Sequence, residues 1–245
     1  RDVERSRGLG DVYKRQIKGS DIWNINHGKG TPIEVSDETI SLLKKAISYS
    51  ELSDGAFDIT IGALSSLWDF KDNDGTLPSQ EDIDSALSTV GYENILIEGN
   101  TVTLKNPDTR IDLGGIGKGY IADQMKQYLN DQGIQEGIIN LGGNILTVGP
   151  KSSGETYKIG IQKPFDLAGN SIASVEITDE SLVSSGVYER YFEVDGKRYH
   201  HILNPATGYP YENGLSGVTI ITSSSADADA LSTTCFALGL SLIHI

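Results

Sequence analysis

Two short stretches carry side chains of the right type and spacing for chemistry. In DADALSTT, Asp229 and Thr233 stand four residues apart. On a helix that spacing puts a carboxylate and a hydroxyl on one face, where together they offer two oxygens to a hard cation. A plainer role is available to both: Asp229 caps or solvates a helix start, and Thr233 bonds back to the carbonyl one turn earlier. Nearby Asp227 reads as a first-turn acid favoured by the helix dipole. In KRYHHILNPATGYP, His200 and His201 adjoin a Pro-Gly loop. A neutral imidazole accepts a proton at about pH 7, and loops are where such groups reach a substrate. Neighbouring side chains of an extended segment point to opposite faces, which disfavours a zinc centre built on both and leaves one histidine to face a site. Against this stands a strand end with one histidine in the core and the other in solvent.

Two further stretches look made for a ligand rather than for a reaction. TRIDLGGIGKGYIAD sets Asp112 before Gly114, Gly115, Gly117, Lys118 and Gly119. The spacing fits neither G-x-G-x-x-G nor G-x-x-x-x-G-K-[ST]. Its glycines permit tight turns and positive φ, while Lys118 beside bare N–H groups suits a phosphate. SDGAFDITIG places Gly55, Ala56, Phe57 and Asp58 between a helical pattern and an apolar run. Ala56 and Phe57 suit the wall of a planar ligand pocket; equally, the segment is a hydrophobic connection in which Asp58 satisfies local backbone N–H groups.

The elements that must position these groups are legible from periodicity. Ile40, Leu43 and Ile47 at helical spacing, behind Ser36 and Asp37, predict a helix. Ser79 and Asp82 cap a second through Ile83, Ala86, Leu87 and Val90 to Gly91. GAFDITIGALSSLWDF is apolar and turn-punctuated, and NILIEGNTVTLKN reads as two strands about Gly99-Asn100. Ala122, Met125 and Leu129 share a helical face ended by Gly133, and GIINLGGNILTVG is a strand, a Gly-Gly turn and a strand. From Tyr157 to Thr222 the pattern is mostly strand, with a hairpin at Asp195-Gly196, and SADADALSTTCFALG is a closing helix. Helices interspersed with antiparallel hairpins predict an α+β fold rather than a doubly wound sheet, in a single mixed domain with no dividing linker.

Composition narrows the partners. A formal charge of −14 without a Lys/Arg cluster argues against nucleic acid. Cys235 is the sole cysteine, so an internal disulfide and a Cys-based zinc site are excluded, and its apolar setting reads as a buried small residue. Residues 1–16 lack periodicity and, with 241–245, read as non-native ends around a natural segment from Ile17 to Leu240.

SDIWNIN, SDGAFDITIGALSSLWDF, IDLGGIGKGYIAD, INLGGNILTVG, SSGVYERYF, RYHHILNPATGYP and ADALSTTCFALG, in that order, resemble the FAD:protein FMN transferase (ApbE-type) family over about Ser20 to Gly239. The resemblance implies a domain that binds FAD and Mg²⁺, splits the pyrophosphate, and attaches FMN to a Thr or Ser hydroxyl of an acceptor protein with release of AMP. Carried over by motif, Asp112 and Lys118 contact FAD, and Ala56, Phe57 and Asp58 line the flavin nucleotide site. The Gly115 carbonyl joins Asp229 and Thr233 on magnesium, and His201 stands at the base position. A metal-dependent FAD pyrophosphatase and a non-catalytic FAD-binding module are the alternatives. Departures are Asn204 where the family often has Asp, Asn144 where an acid is common, and Asp69 where LWGF is usual. The resemblance also implies family segments beyond both ends of this chain, and an exported lipoprotein held at a membrane by an N-terminal anchor.

Overall fold

The computed structural model describes residues 15, 17–73, 75–167 and 169–240. The expectation of non-native ends falls, Arg15 apart, outside these residues. The fold is α+β, helices beside antiparallel sheet. The chain forms two compact units, each assembled from separated stretches. One comprises Arg1–Gly114 and Arg190–Tyr211, the other Gly115–Glu189 and Glu212–Ile245.

The first unit begins with α1 (Asp21–His27), capped by the Ser20 hydroxyl, which accepts from the Trp23 N–H. After a short β1 (Ile33–Glu34) comes α2 (Asp37–Leu52), capped by Ser36 and buried through Ile40, Leu42, Leu43 and Ala46. The apolar stretch that follows contains a helix its pattern does not announce, α3 (Gly62–Trp68). It ends where Asp69 adopts a left-handed φ of 41°. Helix α4 (Gln80–Leu87) starts at the Ser79 cap but stops short of Val90. There the Val90 N–H bonds to the Leu87 carbonyl, tightening the last turn before Gly91 at φ 144°. Strands β2 (Ile95–Glu98) and β3 (Thr101–Leu104) form the hairpin, with β1 on the far side of β3.

The second unit opens with α5 (Gly117–Asp131), so Lys118 and Gly119 belong to a helical turn rather than to the loop before it. Strands β4 (Gly137–Leu141) and β5 (Asn144–Val148) turn at Gly142-Gly143, both at positive φ, and β6 (Tyr157–Gln162) pairs with β7 (Ser171–Ile177). Strand β8 (Ser181–Gly186) joins β5. The chain then re-enters the first unit for the β9 (Tyr191–Val194) and β10 (Lys197–His200) hairpin about Asp195-Gly196. It returns to the second for β11 (Gly217–Thr222), completing an antiparallel sheet of order β11-β8-β5-β4, and α6 (Ser225–Leu238).

Each unit has its own core. In the first, Leu64, Trp68, Ile83 and Leu203 pack together, and the fully buried Trp68 ring stacks on Phe70 and Tyr199 at 5.6 and 5.5 Å. Its indole N–H donates to the Gly208 carbonyl at 2.8 Å, so the one polar atom of the ring is satisfied. In the second, Ala122 of α5 packs on Ile139, Leu146 and Val148 of the sheet.

Candidate active site

In the first unit, backbone pairing brings two of the sequence motifs together. The Asp112 N–H donates to the Ile59 carbonyl at 2.7 Å and the Gly62 N–H to the Arg110 carbonyl at 2.9 Å, so 59–62 runs beside 110–112. Gly62 is required there, since a Cβ would lie 2.5 Å from the Arg110 oxygen. Asp112 thus comes to lie beside the strip of backbone that continues from Ala56, Phe57 and Asp58. Its Oδ1 accepts from the Gly114 N–H at 2.9 Å, and its Oδ2 from the Ser65 hydroxyl of α3 at 2.8 Å, with the Arg15 guanidinium at 3.3 Å.

Asp58 behaves as the plainer reading of its segment has it. Its Oδ1 accepts from the Thr60 N–H and hydroxyl at 2.7 and 2.6 Å, its Oδ2 from the Tyr92 N–H at 2.9 Å, and burial pushes its carboxyl above the usual aspartate range. Phe57 is buried, its N–H held by the Ser53 hydroxyl and its ring edge-on to Tyr49. Ala56 presents its carbonyl to the Tyr211 hydroxyl at 3.0 Å.

Tyr211 also ties in the histidine loop, its N–H donating to the Ile202 carbonyl at 3.0 Å. The same burial holds its phenol protonated, with a pKa pushed up to about 12. His200 is buried, with Nε2 2.9 Å from the Tyr211 carbonyl and Nδ1 accepting from the Ile202 N–H at 3.3 Å, so it is the neutral Nε2–H tautomer. His201, just beyond β10, is partly exposed, its Nδ1 3.3 Å from the Arg190 carbonyl. Asn204 accepts from the Ala206 N–H at 2.8 Å, a turn contact that an aspartate would make equally well.

In the second unit, Asp229 and Lys118 meet at the start of α5. Asp229 is only 4% exposed, and its Oδ2 accepts from the Gly119 N–H at 2.9 Å. Burial raises its pKa, opposed by the charge of Lys118 and by the N–H groups of the α5 N-terminus. Thr233 follows one turn along α6, its hydroxyl 3.3 Å from that of Ser185. Gly115, partly exposed, lies just before α5. No group of three or more His, Cys, Asp or Glu side chains suited to a metal occurs among the described residues. A cation at Asp229 would therefore draw on hydroxyl and carbonyl oxygens as well, a donor set that suits a hard divalent ion.

The structure corrects the reading of the glycines. Gly114 and Gly119 are absent from the positive-φ positions, and backbone contact explains Gly119. A Cβ on Gly119 would lie 2.1 Å from the Ser225 carbonyl oxygen at the start of α6, and one on Gly114 would lie 3.2 Å from Asp112 Oδ1. Helix packing accounts for Gly119 with no ligand required.

Sequence reasoning passed over two residues. Asn26, buried on α1, donates from Nδ2 to the Ile111 carbonyl at 2.9 Å and accepts at Oδ1 from the Ile111 N–H at 2.7 Å. It clamps the residue directly before Asp112. Its signal was an amide sharing the buried face of α1 with Ile22 and Ile25. Tyr211 is the other, and a tyrosine closing a Pro-Gly loop gives no comparable sign.

The ApbE family model matches residues 2–243. An FAD:protein FMN transferase of Klebsiella pneumoniae is 41% identical over 224 residues, covering 90% of this chain and 69% of the relative. One of Vibrio cholerae is 35% identical, covering 94% and 70%. The crystal structure of the ApbE protein of Thermotoga maritima superposes with a TM-score of 0.88 at 38% identity, covering 96% of this chain and 77% of the other. The flavin transferase ApbE of Vibrio cholerae gives 0.86 at 32%, covering 97% and 77%. With the family model spanning nearly its whole length and relatives this similar, the chain belongs to the ApbE family.

Proposed function

We propose that the protein transfers FMN from FAD to a threonine or serine hydroxyl of an acceptor protein, with Mg²⁺, releasing AMP. The relatives named FAD:protein FMN transferase support the flavin transfer. The observation that carries the chemistry is the buried Asp229 with Thr233 one turn along α6. A carboxylate this poorly hydrated is costly in isolation. A cation held by Asp229, the Thr233 hydroxyl and the Gly115 carbonyl would offset that cost and, when bound, neutralise charge on a pyrophosphate.

The other residues bind and move the proton. Lys118, in the first turn of α5, supplies positive charge for phosphate oxygens. Ala56 and Phe57 offer a wall to the flavin nucleotide, and Asp58 holds that wall through its bonds to Thr60 and Tyr92. Asp112 receives FAD beside it. His201 takes the proton of the acceptor hydroxyl as its oxygen bonds to the FMN phosphorus; the P–O bond to the AMP phosphate breaks, and AMP leaves with the electron pair. The reading extends to an exported, lipid-anchored full-length protein, which cell fractionation of the whole gene product tests.

The test is to incubate the chain with FAD, Mg²⁺ and acceptor domains bearing Ser or Thr, measuring AMP by chromatography and flavin fluorescence on the denatured acceptor. Both signals should rise together, and Asp229→Ala should abolish both while far-UV circular dichroism stays unchanged. AMP without a fluorescent acceptor would mean that water is the acceptor. Bound FAD with no AMP would reduce the protein to a binding module.

A further inference from the structure

In the second unit, α5 and α6 cap each other. Helix α5 starts without a side-chain cap of its own, and Asp229 of α6 supplies one through Oδ2 to the Gly119 N–H. In return, Asp123 of α5 takes the start of α6. Its Oδ1 accepts from the Ser225 N–H at 2.8 Å, and its Oδ2 from the Ala226 N–H at 2.9 Å and the Ser224 hydroxyl at 3.1 Å. Both oxygens of each interhelical carboxylate matter. Asp123 gives both to the start of α6, whereas Asp229 takes the Gly119 N–H through Oδ2 and also accepts from the Lys118 N–H at the start of α5.

We propose that Asp123 is a positioning residue for the cation site: it fixes the axial position and rotation of α6 so that the Asp229 carboxylate and the Thr233 hydroxyl face one ion. The proposal rests on the metal reading given above. An ordinary N-cap lies in the chain just before its own helix and leaves that helix free to slide on its neighbours. Asp123 instead belongs to the neighbouring helix, so its bonds register one helix against the other. The contact is close because Gly119 has no side chain to separate α5 from the Ser225 carbonyl. The Ser225 hydroxyl, which bonds Asn144 Oδ1 at 2.8 Å and accepts from the Ser181 hydroxyl at 2.9 Å, ties the same turn to the sheet. Asp229 lies one turn beyond Ser225 and Thr233 two, so any rotation of the first turn carries both oxygens with it.

Mn²⁺ affinity of the full 245-residue chain, read from the electron paramagnetic resonance signal of the free ion with FAD present, tests this. Asp123→Ala should weaken Mn²⁺ binding by about 10-fold or more, the usual effect of removing an outer-shell orienting group. Asp123→Asn, which keeps one acceptor oxygen, should weaken it less, and saturating Mg²⁺ should restore its turnover. Lys126→Met removes an ion pair to Asp179 from the same helix, 2.7 Å long, and should lower stability without moving Mn²⁺ affinity. If the unsubstituted chain binds Mn²⁺ and both Asp123 variants bind within twofold of it, Asp123 has no positioning role and the metal reading stands. If the unsubstituted chain binds no Mn²⁺, both fall.

Discussion

Asn26→Ala offers a quantitative test of how the first unit holds Asp112. The amide makes two bonds to a single residue, Ile111, which is fully buried. Truncation leaves the N–H and carbonyl of Ile111 without these partners, and each orphaned buried group costs about 1–3 kcal/mol. Together these predict a loss of about 2–6 kcal/mol, a large fraction of a typical domain's stability. The chain's two tryptophans, Trp23 and Trp68, both lie in the first unit, so their fluorescence during urea unfolding reports on that unit alone. The midpoint should fall with an unchanged slope. FAD affinity measured well below the new midpoint should also weaken, because the Asp112 backbone is then tethered through Ile59 without the Asn26 clamp. Asn26→Asp keeps the acceptor but loses the donor and buries a charge against a carbonyl, so at about pH 7 it should be at least as damaging. Acidification should restore part of its stability, since a protonated carboxyl can again donate to Ile111. A loss below about 1 kcal/mol in Asn26→Ala would mean that solvent reaches Ile111 freely, and the clamp would be an ornament of the folded state.

His201→Asn should leave FAD binding intact and lower FMN transfer by about 100-fold or more, the usual contribution of a general base. His200→Asn should spare the chemistry and lower the stability of the first unit, since His200 bridges Ile202 and Tyr211; the reverse pattern in transfer assays would exchange their roles. Asp69→Gly should raise the tryptophan-detected stability by about 0.5–1 kcal/mol, because a left-handed conformation is costly for a side-chain-bearing residue and free for glycine. No gain would mean that the Asp69 side chain repays its backbone strain. Asp179 is subject to burial, which raises its pKa, but bonds to Lys126 and the Gly149 N–H prevail and lower it. Its contribution is therefore present above the unfolded aspartate range and lost as pH falls through the lowered folded value. Asp179→Asn should cost about 0.2–1 kcal/mol in urea unfolding followed by circular dichroism at neutral pH, and nothing once the pH is below that value; an equal cost at both would refute the ionic account.

The elements with strong local signatures were legible before any coordinates. Ser36 and Ser79 announce their helices because a hydroxyl followed by first-turn acids satisfies the free N–H groups in place. Asp195-Gly196 and Gly142-Gly143 announce hairpins because both residues of each turn need positive φ. Helix α3 was hidden because its start has no side-chain cap and its position depends on Gly62 lying against Arg110, a contact remote in sequence. In the candidate site, spacing put Asp229 and Thr233 on one face of α6, but it could not show that Asp229 also serves α5. Periodicity likewise gave no means of assigning Gly119 to helix packing, because what removes its side chain is the Ser225 carbonyl, more than a hundred residues away. Long-range polar contacts of this kind leave no pattern in a single sequence.

Neither unit is continuous in the chain, and this has a consequence for synthesis. Trp68 waits for the Gly208 carbonyl 140 residues later, and Gly119 for Asp229, 110 residues later. A nascent chain that has emerged as far as Glu189 has completed neither unit. The first then closes once residues up to Tyr211 are out, and the second only when α6 has left the ribosome. The apolar surface of the second unit must therefore be kept from aggregating until α6 appears, because contacts so distant in sequence offset their loop-closure cost late. A stop codon shortly before α6 would therefore leave the second unit open and aggregation-prone even though the first had closed.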